Sequence, residues 1–434
     1  MRTQKLIITI VILILVSMLI AEENNVIRLS WDDVAGRCRL DNLSLQMNDL
    51  DNLSQQTEVN RAWGSFMPSI DYQWMWSDDE AYPMVDNLFI HSLQFTFPIF
   101  TGGARYANLK LQKYQQKSLE AEFMGAEEGI VLQAMRAYYG VILADAMVDV
   151  YSEALDLAET NLRQVESLRA VGTATELAVK QARTRYFESM PQKSNAENQK
   201  LLALKQLKYL LNIVTEVDLE ISDSLTERDF LDTYAAMSLK EFVILARDNR
   251  SEILQITQQS KMVDQQKMLA LSQLMPSLAL TAGSLHTAYA DNWSVNGSDF
   301  DRKNSIGLAV QMPLFNGGSR YFDLKQAGYS QQKMVLLKEQ VIDQIELDAQ
   351  QSYYAYLLAR DNLKSLEEAM ITAEESLRLA NIYFEQGMSN QTDVLGAQLA
   401  YTQNRAAMKN GIYNYNTSQL ALLKAIGDLH SIWQ

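Results

Sequence analysis

Cysteine is almost absent: the 434 residues contain one, Cys38. A lone thiol excludes an intramolecular disulfide and leaves any Cys-rich zinc site without ligands. Such a residue on an apolar helix face is expected to act as a small hydrophobe. A lipoprotein anchor at Cys38 is disfavoured, because the residue lies well beyond the N-terminal apolar segment and follows Arg37. Proline and glycine are scarce, at 6 and 18, and since they are the main breakers of regular structure, long uninterrupted elements are expected. The three histidines, His91, His286 and His430, have no i, i+4 spacing that would favour a metal. Excess positive charge is also lacking. With 38 Lys+Arg against 53 Asp+Glu the net charge is −15, ill suited to phosphate neutralisation, so nucleic-acid binding is disfavoured. No P-loop, dinucleotide fingerprint or nucleophile elbow occurs. The reading is therefore not an enzyme, with no cofactor expected.

What is present begins with a targeting pattern. Arg2 and Lys5 precede Leu6 to Ile20, an uncharged run interrupted only by Thr9 and Ser17. As a helix this run spans roughly 22 Å, short of the ~30 Å hydrocarbon core. Ala21 and then Glu22-Glu23 follow. Residues 1–21 are read as a secretory signal peptide, with an uncleaved anchor as the alternative.

The rest of the chain is duplicated. Pro98-Ile99-Phe100-Thr101-Gly102-Gly103-Ala104-Arg105-Tyr106 returns as Pro313-Leu314-Phe315-Asn316-Gly317-Gly318-Ser319-Arg320-Tyr321, an offset of 215 residues. The same offset carries Gly172 to Gly387, Ala182 to Ala397 and Asn212 to Gly427. Upstream, Met67-Pro68-Ser69-Ile70 matches Met275-Pro276-Ser277-Leu278 at an offset of 208, so the second copy gains seven residues between Pro276 and Pro313. A loop is expected there. The copies span residues 22–213 and 238–434, joined by an acidic, irregular linker over 214–237. Each is too long for a solenoid repeat and reads as a whole structural half.

Within each copy the order is helix, strand, strand, long helix, helix, which makes the fold mainly α with a small β part. Ser30 to Trp63 reads helical with a break near Asp41-Asn42; its counterpart is Ser238 to Leu274, broken near Asn249-Arg250. Strands are expected at about 69–77, 88–98, 277–289 and 304–313. Ile70, Tyr72, Trp74 and Trp76 alternate with Ser69, Asp71, Gln73 and Met75, and Ile306, Leu308, Val310 and Met312 alternate with Ser305, Gly307, Ala309 and Gln311. That period of two marks half-buried strands. Pro98, Gly102, Gly103 and their counterparts Pro313, Gly317 and Gly318 read as the bend from strand to helix. Arg105 to Ala170 and Tyr321 to Gln386 then read as helices of roughly 100 Å each. Each is followed by a second helix, about Thr175 to Leu211 and Gln391 to Ile426. Met190-Pro191 is expected to kink or break the first of these. Gly172 and Gly387 suit helix C-caps, which makes each pair an antiparallel hairpin with its tip there. Thr173 with Glu176, and Asn390 with Asp393, fit capping boxes.

Four strands cannot close a barrel, and open edges are not tolerated in lipid. If the strands enter a membrane, the chain must oligomerise: two copies give ~8 strands with a filled interior, three give ~12 with a lumen. Tyr72, Trp74, Trp76, Tyr289 and Trp293 would form the outer aromatic girdle, and Phe97, Phe100 and Phe315 the periplasmic one.

The repeated P-[IL]-F-x-G-G-x-R-Y segment, the G-x-x-x-x-x-[DA]-V-x-x-A segment at each tip and the duplicated element order resemble the TolC family of outer-membrane efflux proteins over essentially the whole mature chain. The resemblance implies a homotrimer in outer-membrane lipid, with a twelve-stranded barrel continued by a long periplasmic α-helical barrel whose coiled-coil tips close like an iris. Implied partners are a periplasmic adaptor, docking at Gly172 and Gly387, and an inner-membrane transporter. The function implied is export of small molecules or ions through a tripartite efflux system, with the duct of a type I protein secretion system as the alternative. From another class, a non-conducting periplasmic coiled-coil protein stays open.

The aperture set is read as Asp393, Phe384, Arg169 and Glu176; the resemblance places the first three, Glu176 is added from the residues at the tip, and solvated surface positions are the alternative for each. Asp393 matches a family position where acids ring the narrow mouth, and it equally suits a helix cap. The next acidic position of some family members is Gly396 here, so a second ring is missing, and Ala178, the first-copy counterpart of Asp393, is not acidic either. Phe384 replaces a gate tyrosine, with Arg169 as its first-copy counterpart. The family's Asp, Tyr and Arg lock is not matched residue for residue, which directs attention to Arg169, Glu166, Glu176, Tyr383 and Glu385 for closure.

Overall fold

The computed structural model describes residues 26–78, 87–214, 217–234, 236–290 and 295–432. The expected signal segment and Trp293 lie outside them. The elements run β1 (Val26–Leu29), α1 (Trp31–Asp41), α2 (Leu43–Gly64), β2 (Ser69–Asp78), β3 (Asn87–Thr101), α3 (Ala104–Ala170) and α4 (Glu176–Leu210). The second half continues β4 (Asp218–Ile221), α5 (Leu239–Asn249), α6 (Ser251–Ser272), β5 (Ser277–Ala290), β6 (Asp301–Gln311), α7 (Ser319–Glu385) and α8 (Gln391–Ala425). Among the described residues no helix is long and apolar enough to cross a membrane.

Copy one opens with β1, a strand beyond the expected order, and both copies then carry a helix interrupted by one extended residue. Asn42, at φ −68° and ψ 123°, separates α1 from α2, and Arg250, at φ −62° and ψ 128°, separates α5 from α6. Asn42 fits the break because its side chain caps the start of α2 and ties the break to the end of α4. Its Oδ1 accepts from Ser44 N at 2.9 Å, and its Nδ2 donates to Leu210 O at 2.8 Å. Arg250 donates to Asp348 Oδ2 at 2.7 Å and to Ala425 O at 3.2 Å. The expected break at Pro191 does not occur: α4 runs helical through it. Proline there removes one backbone donor, and the turns on either side of it keep their helical bonds.

The chain divides into two compact units, each built from both copies. One takes Met1–Met47, Gly125–Arg250 and Ile345–Gln434; the other takes Asn48–Met124 and Ser251–Gln344. The first unit carries the largest core. Leu29, Val34, Met135, Tyr138, Leu207, Leu420, Leu423 and Ile426 are all buried in it. Cys38 belongs to the same cluster, and burial first, then Glu127, pushes its thiol up to about 11. Within the inter-copy linker, β4 pairs in parallel with β1, from Val26 opposite Asp218 to Leu29 opposite Ile221. Among the described residues, the linker past β4 has no strand partner. Its backbone is satisfied instead by α8: Asn416 donates to Thr226 O at 2.8 Å, and Gln419 donates to Arg228 O at 2.8 Å while accepting from Phe230 N at 2.8 Å. Tyr138 is packed against Trp31 and donates to Asp223 Oδ2 at 2.7 Å.

Candidate functional site

Among the described residues, the second unit contains a single antiparallel sheet in the order β2-β3-β5-β6, with β2 and β6 as its open edges. Register sets the faces. Trp74 lies opposite His91, Phe95 opposite Ala282, and Leu280 opposite Leu308, which puts Tyr72, Trp74, Trp76, Leu93, Phe95, Leu280, Leu308 and Val310 on one side. That side is uncovered at the edges: Trp74 is 50% and Leu308 66% exposed. The other side carries Asp71, Gln73, Gln94, Thr96, Thr281, Gly283, Ser305 and Gly307. Tyr289 was expected in the outer girdle with Trp74, but its partner is Leu88, and the odd residues of β5 face the polar side. The alternation alone could not assign its face, because β5 is the least regular strand. Phe97 and Phe100 do lie on the apolar side; Ile99 between them is bulged, which keeps both there.

At the strand-to-helix bend, Gly102 and Gly103 have φ of +62° and +87°, and Gly317 and Gly318 have +71° and +82°. A Cβ on Gly102 would lie 2.6 Å from Ser272 O, so close approach as well as conformation requires glycine there. Pro98 sits at the bulge, whereas Pro313 falls just beyond the end of β6. Arg105 ties the first bend together. It donates to Ser65 O at 3.3 Å, Ile99 O at 3.1 Å and Thr101 Oγ1 at 3.3 Å, and its guanidinium lies 5.1 Å from the Phe66 ring centre. The arginine of the repeated motif was the available signal for this clamp.

The hairpin tips lie in the first unit. α3 and α7 end alike: Gly172 and Gly387 have φ of +84° and +72°. Gly172 N donates to Arg169 O at 3.0 Å and Thr173 N to Leu168 O at 2.9 Å; Gly387 N donates to Phe384 O at 3.0 Å and Met388 N to Tyr383 O at 2.8 Å. Both are Schellman closures. The N-cap of α4 is Thr175, not the expected Thr173. Thr175 Oγ1 accepts from Ala178 N at 3.2 Å, while Thr173 Oγ1 is spent on Leu168 O at 2.9 Å, closing the preceding helix. Asn390 and Asp393 do form the reciprocal box: Asn390 N donates to Asp393 Oδ2 at 3.0 Å and Asp393 N to Asn390 Oδ1 at 3.1 Å.

Of the aperture set, the structure brings Arg169 and Glu176 together at 3.6 Å across the first tip. Arg183 and Glu166 pair beside them at 2.6 Å. Phe384 packs elsewhere, on an apolar patch of Val165, Val179 and Ala182 from the other hairpin. Asp393 is exposed and engaged with its own cap. Glu385 accepts from Gln164 at 3.4 Å.

The profile of the family described as "Outer membrane efflux protein" matches residues 40–212 and 243–428. The chain belongs to that family. It is thus a subunit of an outer-membrane efflux channel and not an enzyme. Channels of this family are homotrimers that work with an adaptor and an inner-membrane pump. The chain is 23% identical to outer membrane protein TolC of Escherichia coli (strain K12) over 411 residues, 91% of this chain and 81% of that one. It is 22% identical to the cobalt-zinc-cadmium resistance protein CzcC of Cupriavidus metallidurans, covering 72% of this chain and 71% of that one. The crystal structure of the outer membrane protein VceC from Vibrio cholerae superposes with a TM-score of 0.77 at 19% identity, covering 91% of this chain and 95% of that one.

In this family member the two hairpins meet along a polar seam that the sequence reading missed. Tyr401 donates to Glu153 Oε1 at 2.9 Å, Arg405 donates to Tyr401 Oη at 3.0 Å, and Arg405 and Glu153 form an ion pair. An acid, a tyrosine and an arginine therefore do assemble, on α3 and α8 rather than at the tip positions considered. Towards the tips, Gln398 donates to Leu157 O at 3.5 Å and Gln391 to Asn161 Oδ1. Gln391, Gln398 and Asn161 are buried. Burial pushes the Tyr401 hydroxyl above its ordinary pKa, with Glu374 adding to it, so it stays a donor. The signal was the seven-residue spacing of Gln391, Gln398 and Arg405, which returns a side chain to one helix face.

Proposed function

We propose that three copies of this chain form the outer-membrane duct of a tripartite efflux system, exporting small molecules or ions that an inner-membrane transporter delivers. The reading is carried by one observation: a four-stranded sheet with two unpaired edges and an exposed apolar face. Unpaired backbone is not tolerated in lipid, and three such sheets supply ~12 strands, enough for a lumen. Conduction is passive. The tips at Gly172 and Gly387 form the surface for the periplasmic adaptor. Asp393, Phe384, Arg169 and Glu176 surround the narrow end, where three Asp393 carboxylates favour cations. The cobalt-zinc-cadmium resistance role in the name of CzcC supports small ionic cargo over secreted protein.

The test is mass and conductance. In detergent the protein is expected to run as three chains and, in planar bilayers, to conduct with cation preference that Asp393→Ala reduces. A lone subunit that stays soluble without detergent overturns the duct. Unchanged conductance and ion preference in Asp393→Ala overturn the acidic ring.

A further inference from the structure

The repeat relates more than sequence; it relates strand register. Ser69 of β2 lies opposite Thr96 of β3. Moving the first by 208 and the second by 215, the offsets of the duplicated motifs, gives Ser277 opposite Gln311, which is the register observed between β5 and β6. The operation that turns copy one into copy two therefore preserves pairing to the residue.

The remaining ladder, β3 with β5, joins the second strand of one copy to the first strand of the other. Applied to it, the same operation takes β3 to β6 and β5 to a β2 that this chain has already used. We infer that β6 pairs antiparallel with β2 of a second copy of this chain in one register, Val310 opposite Trp74 and Gln311 opposite Gln73. The inference rests on the trimeric reading above and adds the residue-level match.

Two independent features support this register. First, β3 continues five residues past its last β2 partner, to Thr101, because β5 pairs with it there as far as Ser277. The counterpart segment, Met312 to Asn316, has no strand structure in the single chain, and Leu314 and Phe315 are 86% and 87% exposed. Its partner under the repeat operation is the start of the neighbouring β2. On assembly it becomes strand, with Leu314 bulged as Ile99 is. Second, the faces close. Val310 meets Trp74 and Leu308 meets Trp76, apolar against apolar, while a one-residue slip would set Val310 against Gln73 or Met75 and turn every side chain over.

Cysteine pairs in a Cys38→Ala background test it. Trp74→Cys with Val310→Cys and Gln73→Cys with Gln311→Cys are neighbouring pairs, of which one has the short Cα spacing of ~4.5 Å that a disulfide accepts. β2 and β6 are opposite edges of one sheet, so bonds can form only between chains. At least one pair is expected to give covalent dimers and trimers on denaturing gels, absent from Trp74→Cys with Leu308→Cys, shifted to the ~7–8 Å diagonal. The amides of Leu314 to Asn316 are expected to be protected from exchange in the assembled protein. Crosslinking by the shifted pair alone, or by none within a three-chain particle, overturns the register while the trimer stands. A lone subunit in detergent overturns both.

Discussion

Gln419 shows how much one side chain can carry. It is fully buried, and its amide replaces a missing strand for the linker, bonding Arg228 O and Phe230 N. Gln419→Leu keeps the volume but leaves both backbone groups unpaired. A loss of about 2 kcal/mol or more is expected in denaturant unfolding, and a loss near zero would contradict the account. At the copy starts, acids are held by serines. Ser30 Oγ and N bond Asp33 at 2.6 and 3.0 Å, holding its carboxyl below the ordinary range, the hydroxyl contributing most. Glu241 is also lowered at Ser238, there by the backbone N–H first and the hydroxyl second. A lowered folded pKa means that this stabilisation is complete above the ordinary carboxylate range and is lost as pH falls through the lowered value. Ser30→Ala should raise the Asp33 pKa in an NMR titration and move acid unfolding to higher pH; an unmoved titration refutes it. The capping boxes at Asn390 and the Gly closures were legible in the sequence, because they depend on neighbours within a turn. The role of Gln419 was not, since its partners are some 190 residues away.

Between single residues and the whole stand the hairpins. Their ends are fixed by backbone geometry: a Cβ at Gly387 meets nothing within 4 Å, so Gly387→Ala should cost only the left-handed conformation, about 1 kcal/mol. Gly102→Ala adds a clash with Ser272 O and should cost distinctly more in thermal unfolding; equal costs would refute the close-approach argument. The seam joins one hairpin to the other. Tyr401→Phe with Arg405→Ala should raise single-channel conductance, and a double-mutant cycle of Glu153 with Arg405 should show coupling of about 1 kcal/mol. Unaltered conductance would mean that the seam is structural and not part of closure. Helix lengths and interruptions were readable here, including the breaks at Asn42 and Arg250. The misassigned cap at Thr173 had a local cause: two threonines compete in one turn, and only the path of the chain decides which closes α3 and which opens α4.

Over the whole chain, the duplication accounts for the sheet. A single copy offers two strands, and two copies offer four with two raw edges. The repeat, its offsets, the alternation of the strands and the scarcity of breakers that lets helices run for 67 residues are all written in the order of residues along the chain. These are local or periodic properties, set by the chemistry of residues a few positions apart. Which strand neighbours which, which face Tyr289 joins, how the linker is satisfied and where an acid, a tyrosine and an arginine meet emerge only once the chain has folded. Those depend on groups far apart in the chain, whose pairing is chosen by burial and by the need of every buried donor for an acceptor, and no local spacing encodes that choice.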